Sequence, residues 1–143
     1  MRGVVLLLDA GIRLIDDSYN SNPQAVSAAL KSALDFEAER HWAVLGDMLE
    51  LGEAAPQLHE QIGREAAELG FSPIVGVGEL AKSLVRGAEA VGAETSWFAD
   101  STEASEALRG SLRPGDVALV KGSRGIRLER VVESLKGGMG EDA

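Results

Sequence analysis

Between Leu14 and Pro23 the chain changes character within a few residues. The apolar pair Leu14-Ile15 gives way to Asp16-Asp17-Ser18-Tyr19-Asn20-Ser21-Asn22, and Pro23 then opens an amphipathic segment. Carboxylates, amides and a phenol in one loop supply acceptors for hydroxyls, donors and acceptors for a base, and a ring able to face one. A second polar segment, Gly46-Asp47-Met48-Leu49-Glu50-Leu51-Gly52, sets two carboxylates between glycines. Asp47 and Glu50 could ligate a metal, orient a base or bind a ligand amine; equally, Asp47 could do no more than cap a turn. The third, Lys121-Gly122-Ser123-Arg124-Gly125, combines two cations, a hydroxyl and two glycines. Such a loop can wrap an anion, because glycines let backbone N–H groups approach it. It reads as readily as a glycine-rich turn with solvent-facing cations.

Other features match a pattern more closely but carry weaker chemistry. Ile74 to Ser83 satisfies a dinucleotide-binding pattern through Gly76, Gly78 and Ala81, and nearly satisfies a phosphate-loop pattern through Gly76, Lys82 and Ser83. Glu79 would repel phosphates there, and no acidic residue stands at the end of the next strand, so a plain strand-to-helix turn is the better reading. His59 and His41 are the only histidines, too few for a histidine metal cluster. His59 is expected on a helix surface, making a hydrogen bond. Tyr19, the only tyrosine, lies on a polar loop where its ring or hydroxyl suits a ligand, whereas Trp42 and Trp97 sit in apolar strands and read as core.

Strands and helices in alternation must position these loops. Val4 to Leu8 and Ile12 to Asp16 flank Asp9-Ala10-Gly11 as a β-hairpin would. The first helix starts at Asn22 as cap and Pro23 in its first turn, with Val26, Leu30 and Ala33 on one face. Trp42 to Leu45 is a buried strand. A second helix from Pro56 to Leu69 turns Leu58, Ile62 and Leu69 inward and ends at Gly70, before the strand Pro73 to Val77. A third helix carries Leu80, Leu84, Ala88 and Val91; Thr95 to Phe98 is a strand; Ser101 caps a fourth helix; Val117 to Val120 is a strand. Leu128, Val131, Val132 and Leu135 line the last helix. This order predicts an α/β, Rossmann-like three-layer domain: a mostly parallel sheet with an N-terminal antiparallel hairpin. One domain is expected over residues 1–136, with 137–143 a flexible tail.

Composition narrows the function classes. A chain of 143 residues with 45% apolar content buries one core. No stretch reaches the roughly 20 apolar residues of a membrane span, and no signal pattern opens the chain, so a cytoplasmic protein without membrane contact is expected. The absence of cysteine excludes disulfides and thiolate metal sites. A net charge of −9 argues against a nucleic-acid surface.

Together the loops carry a resemblance. Asp16-Asp-Ser-Tyr-Asn-Ser-Asn-Pro23, Leu45-Gly-Asp-Met-Leu-Glu-Leu-Gly52, His59 followed by Gly63, and Lys121-Gly-Ser-Arg-Gly125 leading to Glu129 stand in the order and at the spacing of the C-terminal domain of the Mur ligases. The branch resembled joins D-alanyl-D-alanine to UDP-N-acetylmuramoyl tripeptide, and the likeness runs from about Gly3 to Leu135. Ser21 and Ile126 replace residues that are usually alanine and methionine there.

The resemblance implies ATP-dependent amide formation in cytoplasmic peptidoglycan precursor synthesis, through an acyl phosphate attacked by the dipeptide amine. It implies partners as well: the N-terminal and central domains of the ligase, absent from this chain, the central one holding the phosphate loop and Mg2+. Without them the chain should be inactive, and a monomer is the default. By the family pattern Asp17, Tyr19, Asn20 and Asn22 lie near the nucleotide, Asp47 and Glu50 toward the acceptor amine, and Lys121, Ser123 and Arg124 toward the dipeptide carboxylate or developing phosphate charge. No metal ligand and no self-sufficient catalytic residue is implied. Two other classes stay open: a stand-alone nucleotide- or dinucleotide-binding domain using Gly76 to Ser83, and a ligand-free regulatory or scaffold module.

Overall fold

The computed structural model describes residues 4–17 and 21–141, the last five by backbone alone. A six-stranded sheet forms from β1 (Val4–Leu7), β2 (Arg13–Asp17), β3 (Arg40–Gly46), β4 (Ile74–Val77), β5 (Thr95–Phe98) and β6 (Asp116–Lys121), in the order β1-β2-β6-β3-β4-β5. β1 runs antiparallel to β2, and every other neighbouring pair is parallel, as the alternation of apolar runs predicts. Five helices connect and cover the strands: α1 (Pro23–Ala33), α2 (Ala55–Glu68), α3 (Ala81–Val91), α4 (Ser101–Leu108) and α5 (Glu129–Glu141).

β3 and β6 read as unbroken apolar runs because both faces of the central sheet are covered. The side chains part by alternation. Trp42, Val44, Ala118 and Val120 pack with Leu108, Val131 and Leu135 of α4 and α5 on one face. Ala43, Leu45, Val117 and Leu119 pack with Leu30 of α1, Ile62 of α2 and Leu84 of α3 on the other. Among the described residues no helix is long and apolar enough to cross a membrane.

Several local expectations are corrected. The inward stripe of α2 is Ala55, His59, Ile62, Gly63 and Ala66, and Leu58 is only half-buried. The reason is helix approach: a Cβ on Gly63 would lie 1.8 Å from the Leu84 carbonyl oxygen, and one on Gly87 2.2 Å from that of Glu60. α2 and α3 therefore touch backbone to backbone, which centres the stripe on Gly63. His59, four residues earlier, falls on that stripe; Leu58 does not. His59 is wholly buried, so the surface position expected for it is wrong. The cap of α4 is Asp100, whose carboxylate accepts the Glu103 N–H at 2.9 Å, and Ser101 is the first helical residue. Trp42 is core as expected, but Trp97 is half-buried on edge strand β5. The backbone of α5 continues to Glu141, past Lys136.

Candidate functional site

The polar loops follow β2, β3 and β6, and these are adjacent strands in the parallel part of the sheet. Their C-terminal ends therefore meet at one edge, the place where open α/β sheets gather ligands. Sheet order makes this happen: β6 is the last strand in sequence, yet it inserts between β2 and β3.

Asp17 and Lys121 are register partners at the ends of β2 and β6. Partners in register send their side chains to the same face. Lys121 Nζ donates to Asp17 Oδ2 at 2.9 Å, with the lysine side chain 4% exposed and the aspartate 20%. A cation is thus held at the site edge by a carboxylate that itself reaches solvent. Asn22 caps α1 as predicted, its Oδ1 accepting the Ala25 N–H at 2.8 Å. Tyr19 and Asn20, with Ser18, lie outside the described residues.

Asp47 turns inward from the end of β3. Its Oδ1 accepts the Ala81 N–H at 2.9 Å, and the Leu80 N–H also donates to the carboxylate, so it caps the start of α3. Burial pushes the Asp47 carboxyl above its ordinary value, and these two N–H groups pull it only part of the way back. The loop then passes Met48, buried, to Glu50, which is exposed and holds a left-handed backbone at φ 66°. Ser123, buried, ties this loop to the one after β6: its N–H donates to the Asp47 carbonyl at 3.3 Å, and its Oγ accepts the Leu49 N–H at 3.3 Å. Arg124 is exposed on the same loop.

Close packing bears on Gly46 and Gly122 of these motifs, whereas Gly52 stands in open space at φ 65°. A Cβ on Gly122 would lie 3.1 Å from Gly46 Cα and 2.6 Å from Leu128 Cδ1, so the ends of β3 and β6 approach closely there. The same accounting removes the dinucleotide reading of Gly76 to Ser83. A Cβ on Gly78, at φ 113°, would sit 2.4 Å from Asp47 Oδ1, and one on Gly76 would meet the Val85 side chain at 2.7 Å. The start of α3, where a pyrophosphate would rest, is already capped by Asp47.

The structure thus brings Asp17, Asn22, Asp47, Glu50, Lys121, Ser123 and Arg124 to one edge. Sequence reasoning counted His59 in the family motif but gave it no place in the site, yet it joins this edge from below: its Nε2 accepts the Met48 N–H at 2.9 Å, and its Nδ1 faces the Ala55 carbonyl at 2.7 Å. The signal available was the spacing of Ala55, His59, Gly63 and Ala66 on one helical stripe. Among the described residues no group of three or more His, Cys, Asp or Glu could hold a metal ion.

Residues 2–124 match the family described as Mur ligase, glutamate ligase domain. The chain belongs to the Mur ligase family. Within it, the UDP-N-acetylmuramoyl-tripeptide:D-alanyl-D-alanine ligase of Mycobacterium tuberculosis (strain ATCC 25618 / H37Rv) is 40% identical over 146 residues, covering 87% of this chain and 29% of that protein. The Mycobacterium leprae ligase of the same description is 37% identical over 145 residues, covering 89% of this chain and 28% of the relative. The chain therefore spans less than a third of the length of these curated Mur ligases. A crystal structure of MurF from Acinetobacter baumannii superimposes with a TM-score of 0.82 at 31% identity, covering 93% of this chain and 30% of that one. MurF from Thermotoga maritima in complex with ADP gives 0.80 at 25% identity, covering 100% of this chain and 33% of that one. The six-stranded, mostly parallel sheet with its antiparallel first pair is the fold these ligases share with this chain.

Proposed function

We propose that the chain is the C-terminal domain of an ATP-dependent ligase that adds D-alanyl-D-alanine to UDP-N-acetylmuramoyl tripeptide in cytoplasmic peptidoglycan precursor synthesis. The observation that carries this reading is the meeting of the three motif loops at one sheet edge, in a chain whose curated relatives at 37–40% identity are described as that ligase. A buried cation, an exposed cation and carboxylates around one edge suit anionic and ammonium groups arriving together. ATP would supply the phosphoryl group that activates the tripeptide carboxylate.

In this reading Asp17, Tyr19, Asn20 and Asn22 contact the nucleotide, with Asp17 also holding Lys121 in place. Lys121, Ser123 and Arg124 face the dipeptide carboxylate or the charge developing on phosphate. Asp47 and Glu50 orient the acceptor amine. No Lys or Arg among the described residues pairs with Asp47, and an incoming ammonium would be the cation it lacks. Mg2+ is assigned to the central domain by the family resemblance, and no metal step is given to the residues of this chain. The N-terminal and central domains complete the enzyme, which works as a monomer without nucleic acid or membrane, and the chain alone is inactive. Closure of this domain over the central one would exclude water from a hydrolysable acyl phosphate.

The test is phosphate release by the full-length ligase, dependent on ATP and D-alanyl-D-alanine, with Lys121→Ala and Asn20→Ala compared with wild type. Each variant, if folded by circular dichroism, should lose well over tenfold in kcat/KM, about 1.4 kcal/mol or more of transition-state stabilisation. Unchanged turnover in both would overturn the loop roles, and a wild-type ligase indifferent to the dipeptide would overturn the substrate assignment.

A further inference from the structure

The loop after β3 has no ladder of its own, so its path depends on where successive backbone groups find partners. The Asp47 N–H donates to the Val77 carbonyl of β4 at 3.2 Å, the Met48 N–H to His59 of α2 at 2.9 Å, and the Leu49 N–H to Ser123 Oγ at 3.3 Å. Three consecutive groups are thus held by three different elements. Only after them does the chain turn through the left-handed Glu50, a conformation a non-glycine residue keeps only where its surroundings impose it.

The chemistry of the His59 contacts selects one form of the ring. The Ala55 carbonyl can only accept, so Nδ1 carries the proton; the Met48 N–H can only donate, so Nε2 presents its lone pair. An imidazolium could not keep both contacts, because its second N–H would point at that of Met48. An apolar side chain of similar size would fill the same wholly buried space and leave the Met48 N–H without its acceptor. What the imidazole adds over leucine is therefore the definition of the loop's path.

We propose that His59 is a positioning residue: its neutral, Nδ1-protonated ring holds the Met48 N–H and so sets Asp47 and Glu50 for the acceptor amine. This rests on the ligase reading above, in which those two acids serve the amine. His59 touches no reacting group and acts only through the loop.

Two conservative variants separate this role from mere core filling. In His59→Gln the side-chain oxygen can take the place of Nε2 and accept from Met48; in His59→Asn the shorter amide reaches only the Ala55 carbonyl. Amide hydrogen exchange on this chain should show Met48 protected in wild type and Gln, and at least ~10-fold less protected in Asn, with Ile62 of α2 unaffected. In the full-length ligase, Asn should worsen kcat/KM for D-alanyl-D-alanine ~10-fold or more while KM for ATP holds, with Gln within about threefold of wild type. Equal kinetics for Asn and Gln, or parallel losses for both substrates, would overturn the proposal. If Asn does not fold, Gln decides: Met48 protection kept with a near-wild-type dipeptide KM supports the role, and protection lost with that same KM overturns it. A wild-type ligase that ignores the dipeptide would overturn the ligase reading instead, and the Met48 exchange would still decide whether His59 holds the loop.

Discussion

The two ends of one sheet each bury an aspartate and hold it in different ways. At the N-terminal end of β6, Asp116 is wholly buried and accepts from Arg40 Nε at 3.0 Å, Arg40 Nη2 at 2.7 Å, Trp42 Nε1 at 3.0 Å and the Arg113 N–H at 2.8 Å. Its hydrogen bond raises the pKa of the Arg40 guanidinium further above an already high value. At the C-terminal end of β3, Asp47 is held by backbone N–H groups, and burial pushes its carboxyl up. A bidentate arginine closes the first end into a staple. The second end keeps a carboxylate short of a cation beside the loops that carry the family motifs. Asp116, with its charge fully matched, is structural; under the proposed function the unmatched Asp47 is the one that serves the acceptor amine.

The largest expected effect removes the staple. Asp116→Ala leaves the Trp42 and Arg113 N–H groups unpaired and should cost about 3 kcal/mol, the low end for a broken buried pair because Arg40 can turn toward solvent. Urea denaturation monitored by tryptophan fluorescence measures it, and a loss below about 1 kcal/mol would erase the contrast. Gly78→Ala attacks the other end by driving a Cβ into the Asp47 carboxylate from a left-handed backbone. A cost of about 1–3 kcal/mol is expected by the same measurement.

Asp47→Asn sharpens the comparison most directly, since it keeps an acceptor for Ala81 and removes the buried charge. A carboxyl whose pKa is raised in the folded state binds more protons there than in the unfolded chain. Its contribution is fully present below the ordinary value of 3.8 and is lost as pH rises through the raised folded value. The Asn variant should therefore match or exceed wild-type stability at neutral pH, within about 1 kcal/mol, and lose that slope in a pH series of urea midpoints. In the full-length ligase it should still lose activity by about tenfold or more. A steep loss of stability would instead make Asp47 a second staple. Smallest is Trp97→Phe, which removes the 2.7 Å hydrogen bond from Nε1 to the Gly78 carbonyl. About 1 kcal/mol should go, seen as a small shift in thermal midpoint with catalysis unchanged.

Alternation of apolar runs, glycine turns and caps was legible residue by residue because those signals are local. Asn22 with Pro23 opens α1, and the runs Trp42 to Leu45 and Val117 to Val120 lie inside β3 and β6. Apart from the α4 cap, misplaced by one residue, the errors fell where a second element intervened. His59 read as surface because its own helix offers Leu58 next to it, and only the close approach of α3 at Gly63 turns the imidazole inward. Gly76 and Gly78 matched a dinucleotide pattern, yet what demands glycine at position 78 is an aspartate more than thirty residues away.

By itself, then, the sequence determined the element types, the chemistry of each polar loop and, through the motifs in those loops, the family. Period and turn chemistry act over a few residues, so they survive without neighbours. The tertiary structure alone decided that β6 lies between β2 and β3, that Lys121 therefore meets Asp17, and that Asp47 caps α3 while His59 holds Met48. Each of these depends on backbone and side-chain partners far apart in the chain, and burial at one sheet edge is what makes them partners.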